Sequence, residues 1–509
     1  MNGPPDAGNT DNNENYVLDA WIQGLGEKAR ARITTLVSGL VSRLGAPGPD
    51  EATGRENAAG LDDKVRALLG GLVKNLEDNP SAGKWLARLL EQLGDGPLEK
   101  MVENFFFNVT YESFAIRRDY QARNGLLPPI TVVINPTMRC NLKCSGCYAW
   151  NFSKKDMDYS LLKQLLEELR DLGVRFITVS GGEPLLYPYL DDMLQDFNDM
   201  IFMSYSNGIL IDDKMADKIA GYGNFWPALS VEGYEEETDK RRGPGVYKKV
   251  LEAMDRLRKR GVMFGFSATP VRNNSDILAT DEFVDSMIEQ GCLFGWFFNY
   301  IPVGRSPDIE LMPTPEQRDK LRQMSRRWIS GKPIFLGDFW NDGPAAGGCL
   351  SASRYAYITV EGNVQPCTFV HFYTHNLRNS SFEEIWNSPF FEAIRQKQPY
   401  DDNLLRPCKI IDRPEVLKEV VEETGAMPSY PGADNILSDK KLRDFLKDYS
   451  ERYGALADPA WEGPDYEEGK SVLVPFLGRI NIWDFYGKRL HPRRPEKLQK
   501  ADSQVRDAP

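Results

Sequence analysis

The spacing of apolar residues changes character near residue 129. Upstream it is helical: Val17, Leu18, Trp21, Ile22 and Leu25, then Ile33, Leu36, Val37, Leu40, Val41 and Leu44, put apolar side chains on one face. The same period predicts helices at 61–77, 82–94 and 97–122, while the polar stretch 1–15 reads as disordered and the Gly- and Pro-rich 45–60 as a flexible linker. From 129, short apolar runs at 130–136, 175–181, 201–208, 224–233, 262–270 and 293–302 alternate with amphipathic helices at 160–172, 189–199, 212–222, 246–260 and 280–290. Six such repeats predict an α/β fold, a partial (β/α)6 TIM-like barrel with helices outside and chemistry at the carboxyl ends of the strands. After about 335 the rhythm stops. A hairpin is expected over 354–369, turning near Glu361, Gly362 and Asn363, then a helix at 381–396 with Ser381 as N-cap and helices at 414–424 and 438–452. The Pro-, Lys- and Asp-rich 455–509 reads as a loosely packed tail in which "SVLVPFLGRINIW" is a candidate to dock.

The expected division is a disordered and helical extension with linker (1–60), a helical prefix (61–128), the core barrel (129–310), a small auxiliary domain (335–412) and C-terminal helices with the tail (413–509). The prefix carries "MVENFFFNVTYESFAIRRDY", an aromatic-rich run. Packing on the main domain is its expected role, with a lipid-gripping or membrane-surface role as the alternative, since acidic residues interrupt any cationic face.

Composition narrows the function class. A net charge of −12 lacks the basic field that phosphate contacts need, so no nucleic-acid partner is expected. No apolar run approaches a membrane span and the polar N-terminus lacks the order of a secretory signal, which predicts a cytoplasmic setting, with peripheral membrane contact left open. Seven cysteines in 509 residues are too few and too clustered for a disulfide scaffold. Three of them, Cys140, Cys144 and Cys147, follow the first strand in C-x3-C-x2-C spacing. A zinc site takes paired cysteines and four ligands, whereas three thiolates on one loop suit three irons of a cubane cluster and leave the fourth iron open.

This loop, with Ser180-Gly181-Gly182-Glu183-Pro184 at the second strand end, resembles the radical S-adenosylmethionine (radical SAM) superfamily. The resemblance implies that the open iron of a 4Fe-4S cluster binds the amino and carboxylate groups of S-adenosylmethionine. It implies reductive cleavage of that cosubstrate to a 5′-deoxyadenosyl radical, which abstracts hydrogen from a substrate. A flavodoxin- or ferredoxin-type protein is the implied electron donor. Gly181 and Gly182 permit close backbone approach near the methionine ammonium, and Glu183 organises the loop. Ser206-Asn207-Gly208 resembles the family's Thr-Asn-Gly. "SVEG" resembles its Ser-x-Asp-Gly, placing Ser230 and Glu232 near the ribose or substrate. Asp239 and Arg242 are candidates to grip the carboxylate. Thr269, Asn273 and the segment "YIPVGR" are candidates for the adenosine side. One position departs from the family: the residue before the third cysteine is often aromatic and here is Gly146, so Tyr148 is the candidate for the adenine-side role.

Cys349, Cys367 and Cys408 form a second set. The spacing C-x12-G-x4-C over the first two resembles the SPASM or twitch auxiliary-cluster domains that follow the barrel in one branch of the superfamily. A full SPASM domain needs more cysteines than remain, and Cys292 reads as core packing, so one auxiliary iron–sulfur cluster is expected. His371 and His375 are nearby candidates for its fourth ligand. Asp338, Trp340, Asn341 and Asp342 either line a substrate cavity or make a plain Asx turn. The resemblance points to a radical SAM enzyme acting on a peptide or protein. Modification of a lipid or other small apolar molecule is the alternative, and a non-catalytic iron–sulfur electron carrier or redox sensor is the alternative of another class.

Overall fold

Each predicted strand is present, and each is short, β-branched or aromatic, and buried. In the computed structural model, which describes residues 25–33, 80–151, 154–304, 307–466, 472–474 and 478–480, these are β1 (Thr131–Thr137), β2 (Phe176–Gly181), β3 (Ile201–Ser206), β4 (Phe225–Ser230), β5 (Gly265–Ala268) and β6 (Phe294–Phe297). Consecutive strands pair in parallel, in the order of the chain. The readings at 1–15, 45–60 and 61–77, and most of those at 16–44 and 467–509, lie outside the described residues.

Two strands extend the six. A seventh parallel strand, β7 (Phe335–Asp338), pairs with β6, so the barrel pattern continues past the point where the sequence rhythm stops. β8 (Tyr355–Ile358) is the first arm of the predicted hairpin, with β9 (Val364–Gln365) antiparallel to it. β8 joins the main sheet beside β1 in parallel register, Thr131 opposite Tyr355 through Ile134 opposite Ile358. The sheet order is therefore β7-β6-β5-β4-β3-β2-β1-β8-β9, an open partial barrel.

The helices lie outside it by amphipathic spacing. Tyr159–Asp171 buries Leu161, Leu162, Leu165, Leu166 and Leu169 against the strand residues Ile177 and Val179. The inner face of the amino ends packs instead on the prefix: Trp85, Leu89 and Leu93 meet Ile201, Met203, Trp226 and Leu293 in one cluster. The predicted 97–122 helix is two α-helices, Asp95–Met101 and Ser113–Asn124, joined by a π-helix at Val102–Glu112. Phe105 of that segment sits 5.9 Å, ring to ring, from Trp226, so the aromatic run helps to close the amino end of the barrel.

Other differences have local causes. The 381–396 helix is broken into Phe382–Trp386 and Pro389–Gln396, because Pro389 has no backbone donor to continue the first. The last helix runs Lys440–Glu462, taking in residues expected to be tail. Among the described residues no helix is long and apolar enough to cross a membrane.

Candidate active site

The cysteine loop leaves β1 at its carboxyl end and is held there by neighbouring strand ends. Thr137 O accepts from Gly182 N at 2.9 Å, and Arg139 O accepts from Glu183 N at 2.8 Å. A Cβ at Gly181 would stand 2.3 Å from Thr137 O, and one at Gly182 would stand 2.1 Å from Arg139 O. The two glycines thus admit the cysteine loop's own backbone, and the Gly182 N–H is used inside the protein. Arg139 is fixed in turn by Asp156 at 3.0 Å.

Glu183 organises the next strand end. Its buried carboxylate accepts from Ser206 Oγ at 2.8 Å, Asn207 N at 2.8 Å and Leu185 N at 3.2 Å. Burial pushes this carboxyl above its usual range, and the donors with Arg242 pull it back. The Asn207 amide donates to Asn141 Oδ1 at 2.7 Å and lies 4.0 Å from Cys140 Sγ.

Glu232 is the hub at the end of β4. Fully buried, it takes Arg241 and Arg242, the latter through Nε at 2.8 Å, and also Thr269 N at 3.1 Å. Burial opposes the charge of Arg242, but Glu232 and Cys144 outweigh it and its pKa is raised. Arg242 reaches to 4.0 Å from Cys144 Sγ, and Arg241 O holds Ser145 N at 3.0 Å. Ser230 Oγ lies 3.2 Å from Ser267 Oγ of β5. Asp239 is placed differently from expectation: its oxygens accept from Gly245 N and Tyr247 N, which start the helix Val246–Lys259. Asn273 is exposed, and it is Asn274, missed in sequence, that ties Glu232 O to Thr269 O at 3.0 and 3.1 Å.

The Gly146 departure has a structural answer. Gly146 has φ +66°, and a Cβ there would stand 2.8 Å from the ring of Tyr300. An aromatic ring therefore covers this place, supplied from beyond β6 and not from the loop. Tyr148 lies against Gly304, with its hydroxyl 2.7 Å from Ser180 Oγ.

The second cysteine set converges from three segments. Ser351 Oγ donates to Pro366 O at 2.8 Å, which ties the Cys349 loop to the Cys367 strand end. Lys409 Nζ donates to Ser351 Oγ at 2.6 Å, bringing Cys408 alongside. His371 and His375 are not turned to this site as ligands. The ring nitrogens of His371 meet Tyr430 Oη at 2.6 Å and Thr368 O at 3.0 Å, and His375 Nδ1 meets Thr374 Oγ1 at 2.9 Å. Cys292 is wholly buried in the core, and burial pushes its thiol far up.

Both sets suit iron–sulfur clusters by their donors. All six cysteines carry free thiols, and burial raises Cys140 to about 11 and Cys408 to about 12, so metal must displace protons there. Among the described residues no three such side chains close on a single metal ion. A cubane differs, because each thiolate takes its own iron. At the second set Lys409, 1% exposed, forms no ion pair among the described residues, and a buried ammonium needs the counter-charge that thiolates and a cluster supply.

Asp338, Asn341 and Asp342 form the Asx turn of the two readings. Asn341 N donates to the Asp338 carboxylate, Asp342 Oδ2 accepts from Asp338 N at 2.7 Å, and the group packs under the helix Pro315–Gly331 through Ser325. Their neighbour Trp340 turns the other way. Rings succeed one another from Tyr148 to Phe369 (5.8 Å), Trp340 (5.2 Å), Phe339 (5.5 Å) and Tyr355 (5.8 Å), and the Tyr355 hydroxyl donates to Cys367 Sγ at 2.8 Å.

The two cysteine sets fall within two segments of the chain that match known families. Residues 134–284 match a family model described as the radical SAM superfamily, and 349–410 match SPASM, described as an iron–sulfur cluster-binding domain. An AdoMet-dependent heme synthase of Methanosarcina barkeri is 25% identical over 297 residues, covering 52% of this chain and 83% of its own. Mycofactocin maturase MftC of Mycobacterium tuberculosis is 26% identical over 298 residues, 55% of this chain and 75% of its own. SuiB of Streptococcus suis bound to S-adenosylmethionine has the same fold, with TM-score 0.50 and 18% identity over 58% of this chain and 75% of SuiB. SuiB bound to its precursor peptide SuiA matches with TM-score 0.50 and 15% identity over 74% of this chain and 83% of SuiB.

Proposed function

We propose, from the premise that this chain is a radical SAM superfamily enzyme with a SPASM iron–sulfur domain, that it abstracts hydrogen from an apolar or aromatic side chain of a peptide or protein. The observation that carries this reading is the run of aromatic rings between the two cysteine sets, from Tyr148 beside Cys147 to Tyr355 on Cys367. Such a wall favours an apolar group and offers few polar partners for a charged one. SuiB, which shares the fold, has been captured with a precursor peptide, so a barrel of this kind admits one. The lipid alternative rested on the aromatic run at 101–120. That run packs on Trp226 and its neighbours at the amino end of the barrel.

Cys140, Cys144 and Cys147, all free thiols, would hold the first cluster, and Cys349, Cys367 and Cys408 would hold the auxiliary one. When bound, the first supplies an electron, received from a flavodoxin- or ferredoxin-type donor, that cleaves S-adenosylmethionine to the 5′-deoxyadenosyl radical. The chain's own groups position and shield. Glu183 locks the ends of β2 and β3 together, so that Ser206 and Asn207 keep their places beside Cys140. Glu232 neutralises Arg241 and Arg242 and aims the latter at Cys144, where a guanidinium suits the cosubstrate carboxylate. Gly181, Gly182, Ser230 and Tyr148 complete the surround.

The test is anaerobic reconstitution, reduction and addition of S-adenosylmethionine. The unsubstituted protein should form 5′-deoxyadenosine, and the Cys140→Ala/Cys144→Ala/Cys147→Ala variant should form none. Absence of both cleavage and cosubstrate binding in the reduced, iron-loaded protein would sink the reading. Deuterium passing from a labelled peptide, and not from a labelled lipid, into 5′-deoxyadenosine identifies the substrate class.

A further inference from the structure

The cysteine loop that follows β1 is part of the outer surface. Cys140, Cys144 and Cys147 are only half-buried, and Arg139, Asn141, Lys143 and Ser145 beside and between them are exposed. An electron has to enter this site from outside, so the character of its outer face selects the donor.

That face is basic in a chain of net charge −12. Lys143 stands in the loop between Cys140 and Cys144. Lys155 belongs to the segment beside the loop's entry, where Lys155 O accepts from Met138 N at 3.2 Å. Lys240 lies in the last turn of the helix Glu235–Arg242, whose Arg241 O accepts from Ser145 N at 3.0 Å. All three lysines are exposed, and none has a carboxylate partner among the described residues. The acidic groups nearby are engaged. Asp156 holds Arg139 at 3.0 Å, Asp239 accepts from Gly245 N and Tyr247 N, and the buried Glu232 neutralises Arg241 and Arg242. The exposed Glu235 and Glu236 stand at the far end of their helix.

Lysines alone would suit any anion, but an exposed aromatic surface beside them marks a protein partner. Tyr189 is 43% exposed, stacks on Tyr159 at 5.5 Å and meets Tyr187 edge-on at 5.8 Å. Tyr187 Oη donates to Met157 O at 3.0 Å and Arg139 donates to Leu186 O, so this surface continues into the Lys155 segment and the loop. Tyrosine and arginine anchor protein interfaces, while charges at the rim steer an oppositely charged partner into a small, transient contact.

We propose that this face, with Lys143, Lys155 and Lys240 around the loop and Tyr189 at its margin, is the docking site of the electron donor, an acidic one-electron carrier protein. The inference rests on the reading of Cys140, Cys144 and Cys147 as cluster ligands. One electron passes from the reduced carrier to the cluster. The carrier is oxidised, the cluster is reduced, and no bond forms or breaks in that step.

The experiment uses the full chain, reconstituted anaerobically, with a bacterial flavodoxin and a bacterial ferredoxin, both acidic, as probes. Binding of each carrier, labelled with a fluorophore, is followed by anisotropy and stopped flow at low and at physiological salt. At least one carrier should bind, and more weakly as salt rises. Lys143→Glu/Lys155→Glu/Lys240→Glu should weaken that binding about tenfold. Tyr189→Ala should speed dissociation about fivefold. Lys84→Glu/Lys418→Glu/Lys441→Glu, on exposed lysines of three other helices, makes the same change of net charge and should leave the affinity within about twofold. With dithionite in place of a carrier, both triple variants should form 5′-deoxyadenosine as the unsubstituted protein does. Equal weakening by the two triple variants, binding indifferent to salt, or an unchanged dissociation rate in Tyr189→Ala overturns the proposal. So does binding of neither carrier, whether or not the same lysines capture single-stranded DNA or anionic vesicles. If Lys143→Glu lowers iron loading, Lys155→Glu/Lys240→Glu is compared with Lys84→Glu/Lys441→Glu instead. Absence of 5′-deoxyadenosine from the unsubstituted protein with dithionite sinks the enzyme reading, and the binding data still decide the docking face.

Discussion

At the residue scale, the site is set by three free thiols on one loop and by a buried carboxylate, Glu183, that holds the neighbouring strand end against them. Cys140, Cys144 and Cys147 were legible because their spacing is local to one loop. The same holds for Glu183 as a loop organiser, although its donors Ser206 and Asn207 come from another strand end. His371 was a candidate ligand only by its nearness in sequence to Cys367, which says nothing about where an imidazole points. Its burial, opposed by the Thr368 carbonyl, lowers its pKa to about 4. The neutral ring is therefore favoured in the folded state relative to an unfolded value near 6.5. The stability this contributes is present above pH 6.5 and is lost as pH falls toward 4. At pH 5 the loss is about 1.5 pH units, or roughly 2 kcal/mol. His371→Gln should show a correspondingly smaller drop in its denaturation midpoint between pH 7 and pH 5 than the unsubstituted protein. Equal drops in the two proteins would show that His371 is not the acid-sensitive group.

At the scale of elements, the β/α alternation was legible because strands and helices there are apolar and periodic, but Pro315–Gly331 was not. That helix buries Pro315, Arg318, Leu321, Arg322, Ser325 and Trp328, and a face half built of arginine and serine gives no apolar stripe. Its burial depends on tertiary partners instead. Arg318 is fully buried, is paired with Asp412 and lies 3.7 Å from the centre of the Tyr453 ring. This joins the helix before β7 to the Cys408 segment and to Lys440–Glu462, three pieces far apart in sequence. Asp412→Asn strands the guanidinium in the interior and should cost about 3–5 kcal/mol in chemical denaturation. Arg318→Met combined with Asp412→Leu should recover most of that loss, since a buried pair is worth little more than apolar packing. A double variant as unstable as the single one would mean that the pair's geometry, and not its charge, holds the elements together. The missed β7 has a related cause, because only Phe335 and Leu336 of its four residues carry apolar side chains before Gly337 and Asp338.

At the scale of the whole molecule, the partial barrel works from one end because the other is filled. The prefix enters the amino end, where Trp85 donates to Leu293 O at 2.6 Å and packs with Ile201, Met203 and Trp226. Above that layer Trp296 meets Phe335 at 5.6 Å and Phe298 meets Tyr205 at 5.2 Å, so rings occupy the interior. The sequence supplied the prefix helices and the barrel separately, and nothing in either period says that one closes the other. If the prefix is part of the barrel's core, Trp85→Ala should remove about 3–5 kcal/mol of stability. The Cys140, Cys144 and Cys147 loop leaves β1 at the opposite, carboxyl end, so the iron it takes up on reconstitution should stay within error of the unsubstituted protein. Thermal unfolding followed by ring fluorescence, with iron analysis on the same samples, separates the two effects. A small loss, below about 1 kcal/mol, would place Trp85 among surface substitutions and make the prefix an appendage. Loss of iron together with stability would mean that the base of the barrel sets the geometry of its mouth.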